Sequence, residues 1–144
     1  MAELRAALQT MHLTETLAVA LYHGPQPILA IRRPDLHAAF VGYEQSEVCH
    51  RSLFLTGLHS LNAKPFLFAR LLALVVGFFA FVTCLVLGLR VLLWFEITIE
   101  RIAIAHYGKI LQSELPDPWP ARVNEVRDDE IHHLEDMRAW LHKL

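Results

Sequence analysis

Glu47-Val-Cys-His50 and Glu130-Ile-His-His133 are two Glu-x-x-His segments that lie on either side of a long apolar stretch. Residues three apart in sequence share one face of a helix, so the carboxylate and the imidazole of each segment can bind one ion together. Each segment alone is a weak signal, because such pairs arise by chance in a chain with nine histidines. The positions of the other carboxylates therefore decide what the two segments mean.

Two further carboxylates, Glu15 and Glu100, interrupt apolar helical stripes. An unpaired buried charge is costly, so such a residue indicates either a bound cation or a position at the edge of the stripe, where it reaches water. For Glu100 an alternative ligand, Glu96, lies one turn earlier on the same helix. The apolar neighbours on the two stripes are Leu8, Met11, Ala18, Val19 and Tyr22 around Glu15, and Leu93, Ile97, Ala103, Ile104 and Tyr107 around Glu100.

The two Glu-x-x-His segments also contain alternatives. Glu44 precedes Glu47 by three residues on the same face, but only Glu47 has a histidine three residues later. His132 and His133 point about 100° apart on a helix, so both cannot face the core, and the spacing favours His133. The other histidines, including His12, His37, His59 and His142, are expected at the surface or as hydrogen-bonded polar groups.

In chain order these residues form a Glu, Glu-x-x-His, Glu, Glu-x-x-His series. Two helices that give one Glu each, and two that give a Glu and a His at i and i+3, supply the ligands of a two-metal carboxylate site in a four-helix bundle. The sequence therefore predicts an all-α, ferritin-like four-helix bundle in a single domain, residues 1–144. The predicted metal ligands are Glu15, Glu47, His50, Glu100, Glu130 and His133.

Long segments without glycine or proline, and without period-two alternation, predict helices along nearly the whole chain. Glycine and proline punctuate them at Gly24-Pro25-Gln26-Pro27, at Lys64-Pro65 and at Pro116, Pro118 and Pro120. Five helices are expected: near Ala2 to Tyr22, Pro34 to about Leu61, roughly Phe66 to Leu87 with Gly88 as a candidate break, a fourth that runs on to about Ser113, and a fifth from near Ala121 to the C-terminus.

The composition narrows the class of protein. Hydrophobic residues make up 54% of the chain and charged residues 19%, which is apolar for a small soluble domain. The net charge of −2 and the absence of a basic run argue against nucleic-acid binding. The two cysteines form no metal-type pair, and the start Met1-Ala-Glu-Leu-Arg5 lacks the order of a secretory signal, so a reducing, cytosol-facing location is expected.

The apolar stretch Leu71 to Leu89 contains 19 residues and no charge, close to the ~20 that span a bilayer. A spanning helix would put Glu47 and Glu100 on opposite sides of the membrane, where they could not share a site. In a ferritin-like bundle, however, one connection runs the length of the bundle. We therefore expect Phe66 to Leu87 to be an additional apolar crossover helix that lies on the membrane, with Arg70 and Arg90 reaching lipid headgroups.

Several segments resemble those of the demethoxyubiquinone hydroxylases of ubiquinone biosynthesis, which are membrane-associated ferritin-like di-iron proteins. Arg127-Asp-Asp-Glu-Ile-His-His133 is similar to the last motif of that family. Ile104-Ala-His-Tyr107 is similar to its Ala-His-His-Tyr segment, which favours Glu100 over Glu96. Tyr22-His-Gly24, Lys64-Pro65 and Gly88 also match in residue and spacing, so the resemblance extends over about residues 14–136.

The resemblance implies an O₂-dependent di-iron monooxygenase that hydroxylates a demethoxyubiquinone-like quinol, with two iron ions bound by the six predicted ligands. It implies Asp129 as acceptor of a proton from a ligand histidine, and Tyr107 and His106 as relay groups for electrons or protons. The implied partners are a lipid quinone, O₂ and the membrane surface, together with a homo-oligomer or an accessory lipid-binding protein. The implied location is the cytoplasmic face of a bacterial inner membrane or the matrix face of a mitochondrial one.

Two departures from the family pattern bear more on the identity of the substrate than on the metal site. The chain ends eleven residues after His133, at Leu144, and Thr14-Glu15 replaces the usual Gly-Glu. A short form, a relative with another lipid substrate and a variant that needs a partner are all compatible with this. Two alternative functions also stay open: a ferritin-like oxidase or iron-binding protein without quinone hydroxylation, and a non-catalytic single-pass membrane protein.

Overall fold

The computed structural model describes residues 1–144 and contains helices and no strand. Its fold is therefore all-α, as the sequence predicted. The helices are α1 (Ala2–His23), α2 (Gln26–Arg32), α3 (Pro34–Ser60), α4 (Ala69–Val82), α5 (Leu89–Ile110) and α6 (Trp119–Lys143), and a π-helical turn, Thr83–Leu87, follows α4.

The chain divides into two compact units, Met1–Leu92 and Leu93–Leu144. In the first unit, α1 packs along α3, and α4 packs against α1. Large side chains of α1 and α3 are almost completely buried there and form the core; they include Leu8, Met11, Leu36, Phe40, Phe54 and Leu58. That 1–144 behaves as one domain stays a prediction.

The segment between α1 and α3 differs from the prediction, because it contains the short helix α2. Gly24 ends the ladder of α1 with its N–H bonded to Ala20 O, and Pro25 then serves as the N-terminal cap of α2. Prolines end a helix that precedes them, but they are well accommodated in a first turn, where their missing N–H is not needed. Pro25 and Pro27 therefore separate two helices and do not exclude a second one.

An aromatic cluster fixes the C-terminal end of α1 against α3. The ring of Tyr22 lies 5.4 Å from those of both Phe40 and Tyr43, centroid to centroid. Edge-to-face and tilted pairs at such distances add to the stabilisation that burial of the rings provides. The cluster sets the position of α1 relative to α3.

Close backbone contact joins α4 to α1. A Cβ atom added to Gly24 would lie 2.2 Å from the carbonyl oxygen of Gly77, and one added to Gly77 would lie 3.1 Å from that of Ala20. At Gly24 only glycine allows the two backbones to approach this closely, whereas at Gly77 a Cβ atom would require a small shift. The apolar segment therefore packs along α1 on one side.

The side of α4 and of the π-helical turn that does not pack on α1 is exposed. By length and hydropathy alone, the 19 residues Ala69–Leu87 could cross a membrane, and only 17% of that stretch is buried. The helix α4 begins at Ala69, three residues later than predicted, after a turn at Phe66–Phe68. The π-helical turn that continues it stops at Gly88, whose φ of +87° does not allow a right-handed helix to go on. The exposed apolar side chains include Leu71, Leu74, Val75, Phe78, Phe79 and Val86.

The second unit consists of most of α5 together with α6. The helix α5 ends at Ile110, slightly before the predicted Ser113, and α6 begins at Trp119 with Pro120 in its first turn. Gly108 of α5 lies close to Arg127 of α6. Buried residues of α6, including Val123, Val126, Leu134 and Met137, follow a helical stripe.

Candidate metal centre

In the first unit, α1 and α3 bring together Glu15, Glu47 and His50. The Nδ1 atom of His50 lies 3.7 Å from Glu15 Oε2 and 3.5 Å from Glu47 Oε2. All three residues are buried, and Glu47 is 0% exposed. Their potential ligand atoms lie within 4.8 Å of one another, which is close enough for one ion to contact all three.

The structure also separates Glu47 from its neighbour Glu44. Glu44 lies at the junction of the first three helices, where its Oε1 atom is 3.0 Å from His23 Nδ1 and its Oε2 atom accepts a hydrogen bond from Gln26 Nε2. It therefore fixes the start of α2 against α3. Glu47, one turn later, points into the cluster with His50.

In the second unit, α5 and α6 form a cluster of the same composition. Glu100, Glu130 and His133 are buried, and their potential ligand atoms lie within 4.8 Å of one another. His133 Nδ1 is 3.7 Å from Glu130 Oε2. The adjacent His132 is exposed, so the two histidines separate between core and surface as the helical geometry requires.

Glu96 is a buried carboxylate that the sequence left as an alternative to Glu100. It is 1% exposed and Glu100 is 4% exposed, so burial does not distinguish them. Only Glu100 belongs to the cluster with Glu130 and His133. Two carboxylates one turn apart on α5 thus share the buried side of the helix.

The donor sets suit divalent metal ions. Each cluster offers two carboxylates and one imidazole, so one divalent cation would balance the charge of the ionised carboxylates. Mixed oxygen and imidazole donors fit iron or manganese better than soft metals, which prefer thiolates. Two buried carboxylates beside a single imidazole carry a high desolvation cost unless a cation balances their charge. The residues of each cluster therefore fit one divalent ion.

Three further residues were implied as functional by the family resemblance. Tyr107 is fully buried, and its ring lies 5.8 Å from that of half-buried His106, measured between centroids. Burial, assisted by the positive charge of Lys109, lowers the pKa of His106, so this imidazole is mainly neutral at pH 7 and able to accept a proton. Asp129 lies on the exposed side of α6, and its role as a proton acceptor for a ligand histidine stays a prediction.

The chain matches one family of known proteins over most of its length. The profile of the family described as ubiquinone biosynthesis protein COQ7 matches residues 2–140, which is nearly the whole chain. No curated individual protein matches the chain significantly. The matched region includes both clusters and the apolar helix between them. The chain therefore belongs to the COQ7 family of ubiquinone biosynthesis proteins.

Proposed function

We propose that this protein is an O₂-dependent di-iron monooxygenase that hydroxylates a demethoxyubiquinone-like quinol. The observation that carries the proposal is the pair of buried clusters, each with two glutamates and one histidine. Membership of a ubiquinone biosynthesis family supports the class of substrate.

Each cluster would hold one iron ion, and the six residues match in type the ligand set of a di-iron carboxylate centre. When bound, such a centre supplies activation of O₂ for the insertion of one oxygen atom into a ring C–H bond. Glu15, Glu47 and His50 would hold one ion, and Glu100, Glu130 and His133 the other. The apolar surroundings of these residues exclude water and strengthen the attraction between carboxylate and cation.

Protons and electrons must also reach the site. Neutral His106 beside buried Tyr107 forms a polar pair on α5, two turns beyond Glu100. We propose that this pair relays protons or electrons during the reaction. Asp129, next to Glu130 in sequence, is proposed to accept a proton from a ligand histidine and so to orient its ring.

The exposed apolar face of α4 supports association with a membrane, where a lipid quinone is dissolved. Because α4 packs on α1 through Gly24 and Gly77, we propose that it lies on the bilayer without crossing it. The side that faces the bacterial cytoplasm or the mitochondrial matrix is proposed as the location.

Expression in a bacterial strain that lacks its own demethoxyubiquinone hydroxylase tests this function. We expect the wild type to restore ubiquinone, as measured by mass spectrometry of extracted quinones. Glu100→Gln keeps the size of the side chain but removes a charge from the cluster, so it should fold and lose activity by about 100-fold or more. Glu135→Gln, a change on the exposed side of α6, is the control and should complement normally.

The variant Glu96→Gln tests which of the two buried carboxylates of α5, Glu96 or Glu100, is the metal ligand. Loss of activity in this variant together with full activity of Glu100→Gln would reassign the ligand. If folded, iron-loaded wild type converts no demethoxyubiquinone in cells or with a reductant in vitro, the substrate assignment is wrong. A ferritin-like oxidase function would then account for the clusters better.

A further inference from the structure

A cavity of about 640 Å³ lies in the first unit, among α1, α3 and the segment that leads into α4. It is separate in composition from the Glu and His clusters, because no carboxylate lines it. Its polar lining includes His12, Arg51, Lys64 and Arg70, and its apolar lining includes Phe66 and Leu67. Three cationic side chains and one imidazole therefore face a space that is large enough for a small polar ligand.

The environment of His12 reflects the positive charge near this cavity. His12 is buried and lies next to Thr16, with 3.5 Å between its Nδ1 atom and Thr16 Oγ1. Burial lowers the pKa of His12, and Arg51 and His59 lower it further. The positive charge of Arg51 therefore acts on His12 within the cavity, and an anion bound there would offset that charge.

Hydrogen bonds hold the backbone of the connection that carries Lys64. Gln9 of α1 donates a hydrogen bond of 2.8 Å to the backbone oxygen of Lys64. The N–H of Ala63 bonds to Leu58 O at the end of α3. The connection that carries Lys64 is therefore tied to both α1 and α3, which fixes the backbone on this side of the cavity.

The apolar part of the lining continues into the exposed surface of α4. Leu67 is 96% exposed, and the stacked rings of Phe66 and Phe68 lie beside it with 5.3 Å between centroids. Beyond them, Leu71 and Leu74 begin the exposed apolar face of the helix. A cationic cavity thus opens next to a long apolar surface, which suits a molecule with an anionic head and an apolar tail.

We propose that this cavity binds the phosphate of an anionic phospholipid, whose acyl chains lie along the exposed face of α4. A free phosphate ion would satisfy the cations but would leave the apolar rim in water. A zwitterionic lipid would bring a second positive charge to a cavity without carboxylates. The site would hold α4 at the depth of the headgroups, and it does not depend on the metal centre or on quinol hydroxylation.

Flotation with vesicles tests the proposal directly. The full chain is synthesised in the presence of vesicles of phosphatidylcholine alone, or of vesicles in which phosphatidylglycerol replaces part of it. The double variant Lys64→Gln/Arg70→Gln should bind the anionic vesicles about 30-fold more weakly than wild type, from ~1 kcal/mol for each basic side chain at an anionic surface. Its binding to phosphatidylcholine vesicles should equal that of wild type.

Two control variants separate the cavity from general charge and from misfolding. Arg5→Gln/Arg138→Gln removes the same charge from exposed positions that do not line the cavity and should bind like wild type. Lys64→Arg/Arg70→Lys preserves the cations and should also bind like wild type. Circular dichroism checks the helical content of each variant.

Three results would overturn the proposal. The first is equal binding of the Lys64→Gln/Arg70→Gln variant and wild type to anionic vesicles. The second is an equal loss in both charge-removing variants, which would indicate diffuse attraction without a site. The third is binding of inorganic phosphate to the wild type that is lost in the Lys64→Gln/Arg70→Gln variant but is not displaced by phosphatidylglycerol vesicles, which would identify a free phosphate as the ligand.

Discussion

Replacement of Glu47 by glutamine should change the stability of the protein in opposite directions with and without metal. The Glu47 side chain is 0% exposed and shares the His50 imidazole with Glu15. Without metal, two carboxylates compete for one imidazole, so a neutral amide should raise the stability of the folded protein. With metal, the same change removes a ligand and should lower it.

The expected magnitude follows from linkage between binding and folding. An ion at about 100 times its dissociation constant stabilises the folded state by about 2.7 kcal/mol. For a chain of this size each kcal/mol moves the unfolding temperature by about 2–4 °C. One ion should therefore raise the Tm by about 5–11 °C. Glu47→Gln should abolish the part of this metal-dependent increase that comes from the ion bound by the cluster of Glu15, Glu47 and His50.

Thermal unfolding by circular dichroism, under anaerobic conditions with ferrous iron or with a chelator, measures both effects. Glu44→Gln is the matched control, because Glu44 lies one turn away on α3 and contacts His23 and Gln26 in place of the cluster. Its metal-dependent rise in Tm should equal that of wild type. An identical response of the two variants to iron, or no rise in the wild type, would refute the reasoning.

Three further perturbations test other parts of the structure. Gly24→Ala would place a Cβ atom 2.2 Å from a backbone oxygen of α4 and should lower the free energy of unfolding, measured with denaturant, by about 1–3 kcal/mol. The control Gly42→Ala adds a Cβ atom with no other atom within 4 Å and should leave the free energy of unfolding unchanged or raise it by up to about 1 kcal/mol. Equal effects of the two changes would argue against the close contact. Burial first, then the nearby cations, depress the pKa of His12 below 6.5, so the stability due to its neutral form is complete above pH 6.5 and is lost as the pH falls. His12→Gln should therefore make the free energy of unfolding fall less steeply below pH 6.5, and an unchanged slope would contradict this. Cysteines introduced near His59 and Lys109 in a cysteine-free variant should react with an impermeant reagent from the same side of intact vesicles, whereas labelling from opposite sides would show that α4 crosses the membrane.

The long helices could be predicted from the sequence because glycine and proline mark their ends. The observed α3 starts at Pro34, as predicted, and ends within one residue of the predicted position. The short helix α2 could not be predicted in the same way, because Pro25 and Pro27 break a preceding helix and begin a following one equally well. The π-helical turn at Thr83–Leu87 also lacks a local signal, since its residues are ordinary apolar ones.

The Glu-x-x-His pairs were visible in sequence because a spacing of three residues determines the shared helical face. Spacing could not determine whether Glu96 or Glu100 faces the cluster, because both are buried and lie one turn apart. That choice depends on which carboxylate approaches α6, which is a property of packing. The family resemblance favoured Glu100, and the cluster with Glu130 and His133 contains it.

The cationic cavity was not predicted, although one of its residues, Arg70, was expected to reach lipid headgroups. His12, Arg51 and Lys64 come from two helices and a connection, and each is unremarkable within its own segment. His12 was expected at the surface or as a hydrogen-bonded polar group, and the structure agrees with the second alternative, because His12 is buried with its Nδ1 atom 3.5 Å from Thr16 Oγ1. Sites assembled from distant segments without a regular spacing become visible only when the fold is known.

Iron stoichiometry tests the central claim most directly. Purified protein titrated with ferrous iron under anaerobic conditions, freed of unbound metal and subjected to elemental analysis, should bind about two irons per chain. Glu47→Ala and Glu130→Ala should each reduce this number sharply, because each change removes a carboxylate from one cluster. A protein that remains folded and gains no significant iron on titration would contradict the di-iron assignment.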